Sequence, residues 1–216
     1  MAGGERGFVQ LLAATHAGMT TDEFEKIGDG LDRDRRSIRR PASRSRRWST
    51  SRCSSCSPTC AGNGFKTYIV SGGGIEFMRP WTEKVYGIPP EQVIGTQRRA
   101  SVRAAGRQAR DRQAGRASSS NDDKEGKPVG IQRHIGRRPI AAFGNSDGDL
   151  QMLQWTCIAD GARFCLYVHH TDADREWAYD RDSHIGKLDK GLDEAKDRGW
   201  TVVDMKNDWK KIFASP

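Results

Sequence analysis

Short apolar runs alternate with amphipathic stretches along most of this chain. The apolar runs are rich in β-branched and aromatic residues and are bounded by glycine, proline or charged residues, which is typical of buried strands. The predicted strands are 66–70, 139–143, 164–168 and 201–203, and the predicted helices are 75–86, 149–155 and 185–198. Strands that alternate with helices predict an α/β fold with a mainly parallel sheet.

Two windows interrupt this pattern. Residues 31–60 are rich in Arg, Ser and Cys, have almost no large aliphatic residues, and are predicted to be a disordered segment. Residues 97–120 are Arg-rich and are predicted to be an irregular insert. We therefore expect a small N-terminal part, 1–60, that contains the first window, and an α/β core, 61–216, that contains the second.

A displaced reading frame is our hypothesis for both windows. Ser and Cys codons often begin with T, and a shift of one base moves that T to the centre of the codon, where it specifies hydrophobic residues. Residues 48–60 can be encoded so that a neighbouring frame reads as an amphipathic helix, directly before the ordered run that starts at Gly62. The nucleotide sequence of the gene tests this hypothesis.

The positive charge of the chain is concentrated in the same two windows. The net charge is +8, but 33–52 and 98–116 together contribute +14, so the remaining residues sum to −6. Arg-rich segments attract nucleic acid through its phosphates. The alternative function is therefore a basic nucleic-acid-binding protein, but Arg without interleaved aromatic residues or a recognisable reader fold predicts no specific nucleic-acid partner.

The apolar runs are too short for a membrane protein. No run of about 18 apolar residues occurs, so we expect no membrane partner. The N-terminal residues lack the features of a secretory signal, and the cytoplasm is the default expectation. The periplasm is the alternative if a signal precedes the first residue of this sequence. The oligomeric state cannot be read from the sequence.

Ser71 and Gly72 are candidate phosphate-binding residues. They directly follow a predicted strand, and glycines at such a position expose backbone N–H groups that can hold a phosphoryl oxygen together with the serine hydroxyl. The alternative is an ordinary strand-to-helix turn, in which Gly and Ser are common.

Asn145, Asp147 and Asp149 place three oxygen donors in one short loop after another predicted strand. Oxygen donors suit a hard cation, so this loop is a candidate site for Mg²⁺. The alternative is a turn rich in Asp and Asn, in which Asp149 caps the helix that follows.

Lys127 lies between these two motifs and could neutralise charge on a phosphoryl group. The alternative is a solvated surface lysine. The histidines at 134, 169, 170 and 184 are assigned no catalytic role, and Cys157 and Cys165 are expected to be small buried apolar residues without a disulfide.

Taken in order, IVSGGG at 69–74, Lys127 and FGNSDGD at 143–149 resemble the second, third and fourth motifs of the haloacid dehalogenase superfamily, with a closer likeness to its phosphoserine-phosphatase-like branch. The resemblance implies a Rossmann-like α/β core with a helical cap, of which 1–60 would be a remnant. It also implies a Mg²⁺-dependent phosphatase that hydrolyses a small phosphorylated substrate through an aspartyl-phosphate intermediate. Ser71 would bind the phosphoryl group, Lys127 would stabilise the intermediate, and the 145–149 loop would hold Mg²⁺.

The first motif of that superfamily is absent from this sequence. Relatives carry Asp-x-Asp-Gly-Thr on the first strand, where one aspartate is the nucleophile and the other is the general acid–base. No such run occurs here. The resemblance therefore implies an incomplete core, truncated at its N-terminus, and an inactive chain.

Overall fold

The computed structural model describes Glu23, Lys26 and residues 51–105 and 108–212, and for 51–56 and 98–120 it describes the backbone. The helices are α1 (Ser51–Gly62), α2 (Ile75–Tyr86), α3 (Gly126–Ile135), α4 (Leu150–Cys157), α5 (Lys190–Arg198) and α6 (Met205–Asp208). The strands are β1 (Ile69–Gly74), β2 (Val93–Ala105), β3 (Gln108–Ser120), β4 (Ala141–Gly144), β5 (Phe164–His169) and β6 (Thr201–Asp204). Two 3₁₀ turns lie at Pro90–Gln92 and Asp147–Asp149.

The described strands form two three-stranded sheets. In one sheet, β1 pairs with β2 in parallel and β2 pairs with β3 in antiparallel orientation. In the other sheet, β4, β5 and β6 are all parallel, and Ala142 lies opposite Cys165. The prediction of an α/β fold with parallel strands is therefore confirmed.

One apolar core connects the two sheets. Ile94 of β2 and Ala142 of β4 belong to the same buried cluster, and Val70 of β1 packs against it. Helix α3 packs on β1, β2 and α4, while α4 packs on β4 and β5. The carboxyl ends of β1 and β4 are thereby held close to each other, and loops at such strand ends commonly form sites in open α/β sheets.

Residues 97–120 differ from the irregular insert that the sequence predicts. Their backbone forms the antiparallel β2–β3 hairpin, with irregular register between Gln97 and Ala100. An antiparallel ladder is held by backbone N–H and C=O groups, which do not depend on apolar side chains. The parallel pairing of β2 with β1 at Val93–Thr96 also fixes the direction in which the strand continues.

The predicted disorder of 31–60 is wrong at its C-terminal end, because 51–60 lie in α1. The remaining part of that window, 31–50, lies outside the described residues. Helix α1 ends at a tight cap, in which the Phe65 N–H donates to the Cys60 carbonyl over 3.0 Å and Gly64 has a φ of +80°. The residues of α1 have low helix propensity, so packing against α2 provides the stability that this helix needs. The expected boundary at residue 60 falls inside this helix.

Cys157 and Cys165 form a disulfide, contrary to the expectation from the sequence. The loop after α4 returns the chain into β5 and leaves the two Cα atoms 6.4 Å apart, which is within the ordinary range for a disulfide. Separately, none of the helices described above is long and apolar enough to cross a bilayer.

Candidate functional site

The C-terminal end of β1 offers groups that can receive an anion. The Ser71 hydroxyl accepts a hydrogen bond from the Gly73 N–H over 3.1 Å, which shapes the turn. Helix α2 begins directly afterwards at Ile75, and its N-cap residue, Gly74, provides no capping side chain. N–H groups at the start of a helix favour negative charge. This turn therefore presents a hydroxyl and a helix N-terminus side by side.

Lys127 joins this turn to the loop after β4. Its ammonium donates to the Val70 carbonyl over 3.3 Å, at the residue before Ser71, and to Asp149 Oδ1 over 2.5 Å. The Lys127 and Asp149 side chains are each only 8% exposed, so the pair is a buried ion pair. The structure thus brings together one residue from each of the three sequence motifs.

Asp149 also organises the loop that contains it. Its Oδ2 accepts hydrogen bonds from the N–H groups of Asn145 and Ser146, over 2.9 Å and 3.2 Å, and from the Ser146 hydroxyl over 3.4 Å. The two carboxylate oxygens therefore have different roles. Oδ2 holds the loop, and Oδ1 faces Lys127.

Asp147 lies in the same loop, but its carboxylate is directed to the start of α5. Oδ1 accepts from the N–H groups of Asp189 and Gly191, over 3.0 Å and 2.9 Å, and Oδ2 lies 3.4 Å from the N of Lys190. This cap explains why α5 begins at Lys190, although the sequence predicted a helix from residue 185. Asp147 is thus committed to a helix N-terminus, and its predicted role as a metal ligand has no geometric support.

Asn145 contacts a histidine that the sequence analysis set aside. Its Nδ2 lies 3.4 Å from His170 Nε2, and His170 Nδ1 lies 2.9 Å from a Glu176 oxygen. The His170 ring stacks on Tyr179 with a centroid distance of 4.3 Å. His170 follows β5 directly, as Asn145 follows β4, so the two residues meet because their strands are parallel neighbours.

Asp123 also lies at this site, although the sequence analysis did not select it. A Cβ on Gly72 would lie 3.2 Å from Asp123 Oδ1, and a Cβ on Gly148 would lie 2.9 Å from the same oxygen. The carboxylate therefore fits between one glycine of each loop. Its position shortly before Lys127 was the only signal that the sequence offered.

Asp122, the neighbouring residue, is buried and carries an unsatisfied oxygen. It is 2% exposed, and its Oδ2 has no hydrogen-bond partner within the described part of the chain. Burial raises the pKa of Asp122, and the nearby charges of His134, Arg133 and Lys127 oppose this without cancelling it. The fold therefore makes ionisation of this carboxyl less favourable than in the unfolded chain.

We expect Asp122→Asn to stabilise the chain at pH 7 by on the order of 1 kcal/mol, since the amide carries no charge to desolvate. A raised pKa means that the stability contributed by Asp122 is complete below its ordinary pKa and is lost as the pH rises through the folded value. The gain should therefore vanish at about pH 3. Urea unfolding at both pH values measures it, with exposed Asp160→Asn as the control. An equal gain at both pH values would contradict this explanation.

These loops lie at one edge of an α/β protein, and comparison with known proteins places the chain in a family. Residues 1–154, well over half of the chain, match the haloacid dehalogenase-like hydrolase family, and the chain belongs to that family. The family prediction is therefore confirmed. Among curated proteins, none matches the sequence significantly.

A solved structure with a similar arrangement is that of a phosphoserine phosphohydrolase-like protein from Francisella tularensis subsp. tularensis SCHU S4. It is 14% identical to this chain, with a TM-score of 0.41, and the similarity covers 69% of this chain. The chain spans only 58% of that protein's length.

Members of this superfamily generally use Mg²⁺, and the described residues fit such an ion only in part. No group of three His, Cys, Asp or Glu side chains within the described ranges is arranged to hold a metal. Mg²⁺, however, is usually bound by one or two protein oxygens and keeps several waters. Asp149 Oδ1 accepts one hydrogen bond and has a further lone pair, and Asn145 in the same loop carries an amide oxygen that can also ligate a cation.

Proposed function

We propose that in this member of the haloacid dehalogenase-like hydrolase family Ser71, Gly72 and Lys127 bind the phosphoryl group of a small phosphomonoester. The observation that carries the proposal is the position of the Lys127 ammonium. It contacts the Val70 carbonyl beside Ser71 and the Asp149 carboxylate beyond β4, so it lies between the two loops. A phosphoryl group in this place would meet a cation, a hydroxyl and a helix N-terminus together.

The hydrogen bonds of Lys127 leave capacity for such a ligand. An ammonium has three N–H donors, and the described contacts use two of them. The third can donate to a phosphoryl oxygen while Asp149 keeps the ammonium in place. Ser71 can donate its hydroxyl hydrogen to a second oxygen, because its hydrogen bond with Gly73 uses only the acceptor side of the hydroxyl.

We further propose that Asn145 and Asp149 would hold Mg²⁺, directly or through water. The ion would supply positive charge next to the phosphoryl oxygens. Asp147 is left out of this set, because its carboxylate caps α5.

Turnover by the aspartyl-phosphate route needs a nucleophilic carboxylate. The sequence contains no Asp-x-Asp-Gly-Thr run. Of the carboxylates at the proposed site, Asp149 is engaged by Lys127 and the loop, and Asp123 lies against Gly72 and Gly148, outside any Asp-x-Asp-Gly-Thr run. We therefore propose that this chain binds phosphate without hydrolysing its esters.

Inorganic phosphate should protect the folded chain against urea. Phosphate at 100 times its dissociation constant raises the free energy of unfolding by about 2.7 kcal/mol, since it binds only the folded state. Ser71→Ala should weaken phosphate binding about ten-fold, which is the size of one hydrogen bond to a charged group. Unfolding curves at several phosphate concentrations measure both effects.

Ser57→Ala is the matched control, because its hydroxyl lies 3.3 Å from that of Thr67, on α1 and away from the strand ends. Equal protection of the Ser71→Ala and parent chains, or no protection of either, would contradict phosphate binding at this site. Release of p-nitrophenol from p-nitrophenyl phosphate with Mg²⁺ is the second readout. If the parent chain releases p-nitrophenol, and Asn145→Ala and Asp149→Ala abolish that release, the proposed lack of turnover is contradicted.

A further inference from the structure

The residues that follow β5 place a buried imidazole against the proposed site. His170 is 8% exposed, and it lies between the Asn145 amide on one side and the Glu176 carboxylate on the other. Tyr179 stacks on the ring and donates its backbone N–H to the His170 carbonyl over 3.0 Å. Three contacts therefore fix the rotation of the ring, and the backbone hydrogen bond fixes the position of the residue.

The contact with Glu176 determines which ring nitrogen carries hydrogen. A carboxylate only accepts hydrogen bonds, so His170 Nδ1 must donate to the Glu176 oxygen 2.9 Å away. In the neutral imidazole, Nε2 is then an acceptor. With Nε2 as an acceptor, the Asn145 group that faces it at 3.4 Å is the NH₂ group, which can donate to it.

We propose that His170 is a positioning residue that orients the Asn145 side-chain amide. With the NH₂ group held by Nε2, the carbonyl oxygen is turned away from His170 and is available to a cation in the loop. An amide free to flip would present a hydrogen-bond donor there in part of the molecules, and a donor cannot bind a cation. The benefit to a cation rests on the proposed function, whereas the orientation of the amide does not.

The environment of His170 supports a role at the site over simple core packing. Its ring nitrogens contact two polar side chains, and one of them is the first residue after β4, in the loop that Lys127 and Asp149 join to β1. Glu176 in turn is 13% exposed at its side chain and directs its carboxylate to the ring. The imidazole therefore connects the Glu176 carboxylate to a residue of the site loop, as outer partners that orient a ligand do.

Nuclear magnetic resonance of the side-chain amides tests the proposal directly. The sequence has four asparagines, so selective ¹⁵N-asparagine labelling gives four NH₂ pairs, and loss of one pair in Asn145→Ala assigns it. His170→Phe keeps an aromatic ring on Tyr179 but removes Nε2, and should shift the Asn145 pair and speed its rotation. His170→Gln can accept the same hydrogen bond and should restore the slow rotation. Exposed His184→Phe is the control and should change nothing.

Titration with Mg²⁺, followed by protection against urea, is the second measurement. His170→Phe should raise the Mg²⁺ concentration at the midpoint of the titration about ten-fold. This is the usual loss of affinity when a group that orients a metal ligand is removed. His170→Gln should recover most of that loss, whereas a merely structural role would leave both variants equally weak.

The two measurements distinguish the possible failures. If His170→Phe leaves the Asn145 NH₂ resonances unchanged, the positioning role is overturned, whether or not the chain binds phosphate or Mg²⁺. An amide that shifts as expected, in a chain that binds neither phosphate nor Mg²⁺, supports the positioning role and overturns the proposed function. If His170→Phe leaves the midpoint of the Mg²⁺ titration unchanged, the proposed link between the orientation of the Asn145 amide and Mg²⁺ binding is overturned.

Discussion

Replacement of Lys127 by methionine is expected to lower the free energy of unfolding by roughly 3–5 kcal/mol, because it leaves a buried carboxylate without its cation. Asp149 is 5% exposed, and Lys127 is the cation that contacts it in the described part of the chain. Methionine has a similar length and is apolar, so the change removes the charge and little volume. Urea unfolding, followed by the far-ultraviolet circular dichroism signal, measures the loss.

Two further variants separate the ion pair from other effects. Lys124→Met removes an exposed lysine from the same segment and should change stability by less than about 0.5 kcal/mol. Lys127→Met combined with Asp149→Asn removes both charges but keeps an oxygen that can accept from the loop N–H groups. This double variant should recover a large part of the loss. A Lys127→Met chain as stable as the Lys124→Met chain would show that the pair does not form.

The convergence of Ser71, Lys127 and Asp149 could be predicted because it depends on strand order and direction. Ser71 and the loop that contains Asp149 each follow a short apolar run that the sequence marks as a buried strand, and parallel strands bring their carboxyl ends to one edge. Lys127 follows no such run, and the family resemblance alone assigned it to the site. Helix α2 was also predictable in full, because Gly87 and the prolines after it define its end. Local sequence signals of this kind can be read without knowledge of the tertiary structure.

Asp147 shows why other parts of the site could not be predicted. In the sequence it has the same character as Asp149, since both are aspartates in one turn rich in oxygen donors. Its carboxylate is engaged by N–H groups that lie 42 and 44 residues further along the chain. No local pattern distinguishes a metal ligand from a residue that caps a remote helix. The same applies to His170, whose partner Asn145 lies 25 residues away.

The β2–β3 hairpin was missed for a different reason. Residues 97–120 lack apolar periodicity, which is a signal for burial and not for backbone pairing. A hairpin at the edge of a sheet can be paired through its backbone without a continuous apolar face. The same composition that predicted an irregular insert is therefore compatible with two strands.

Replacement of Arg175 by lysine is expected to lower the free energy of unfolding by at least about 2 kcal/mol, which is the value of one or two charge-assisted hydrogen bonds. The Arg175 guanidinium pairs with Asp172, which is only 2% exposed at its side chain. Its two terminal nitrogens donate to four backbone carbonyls at the C-terminal end of the described chain. These carbonyls belong to Met205, Lys206, Trp209 and Lys210. Lysine keeps the charge but cannot reproduce this planar set of donors.

The pH dependence of this loss provides a further test. The backbone N–H of Arg175 lowers the pKa of Asp172, and its side chain adds to the effect. A lowered pKa means that the contribution of Asp172 to stability is present above its ordinary pKa and is lost as the pH falls through the folded value. The difference in the free energy of unfolding between the parent and Arg175→Lys chains should therefore become smaller at acid pH. Arg137→Lys, the same change at an exposed arginine, should cost less than about 0.5 kcal/mol and serves as the control. An Arg175→Lys chain no less stable than this control would show that the guanidinium does not join the 170–180 loop to the C-terminal segment, and would remove the support on which the placement of His170 and Glu176 depends.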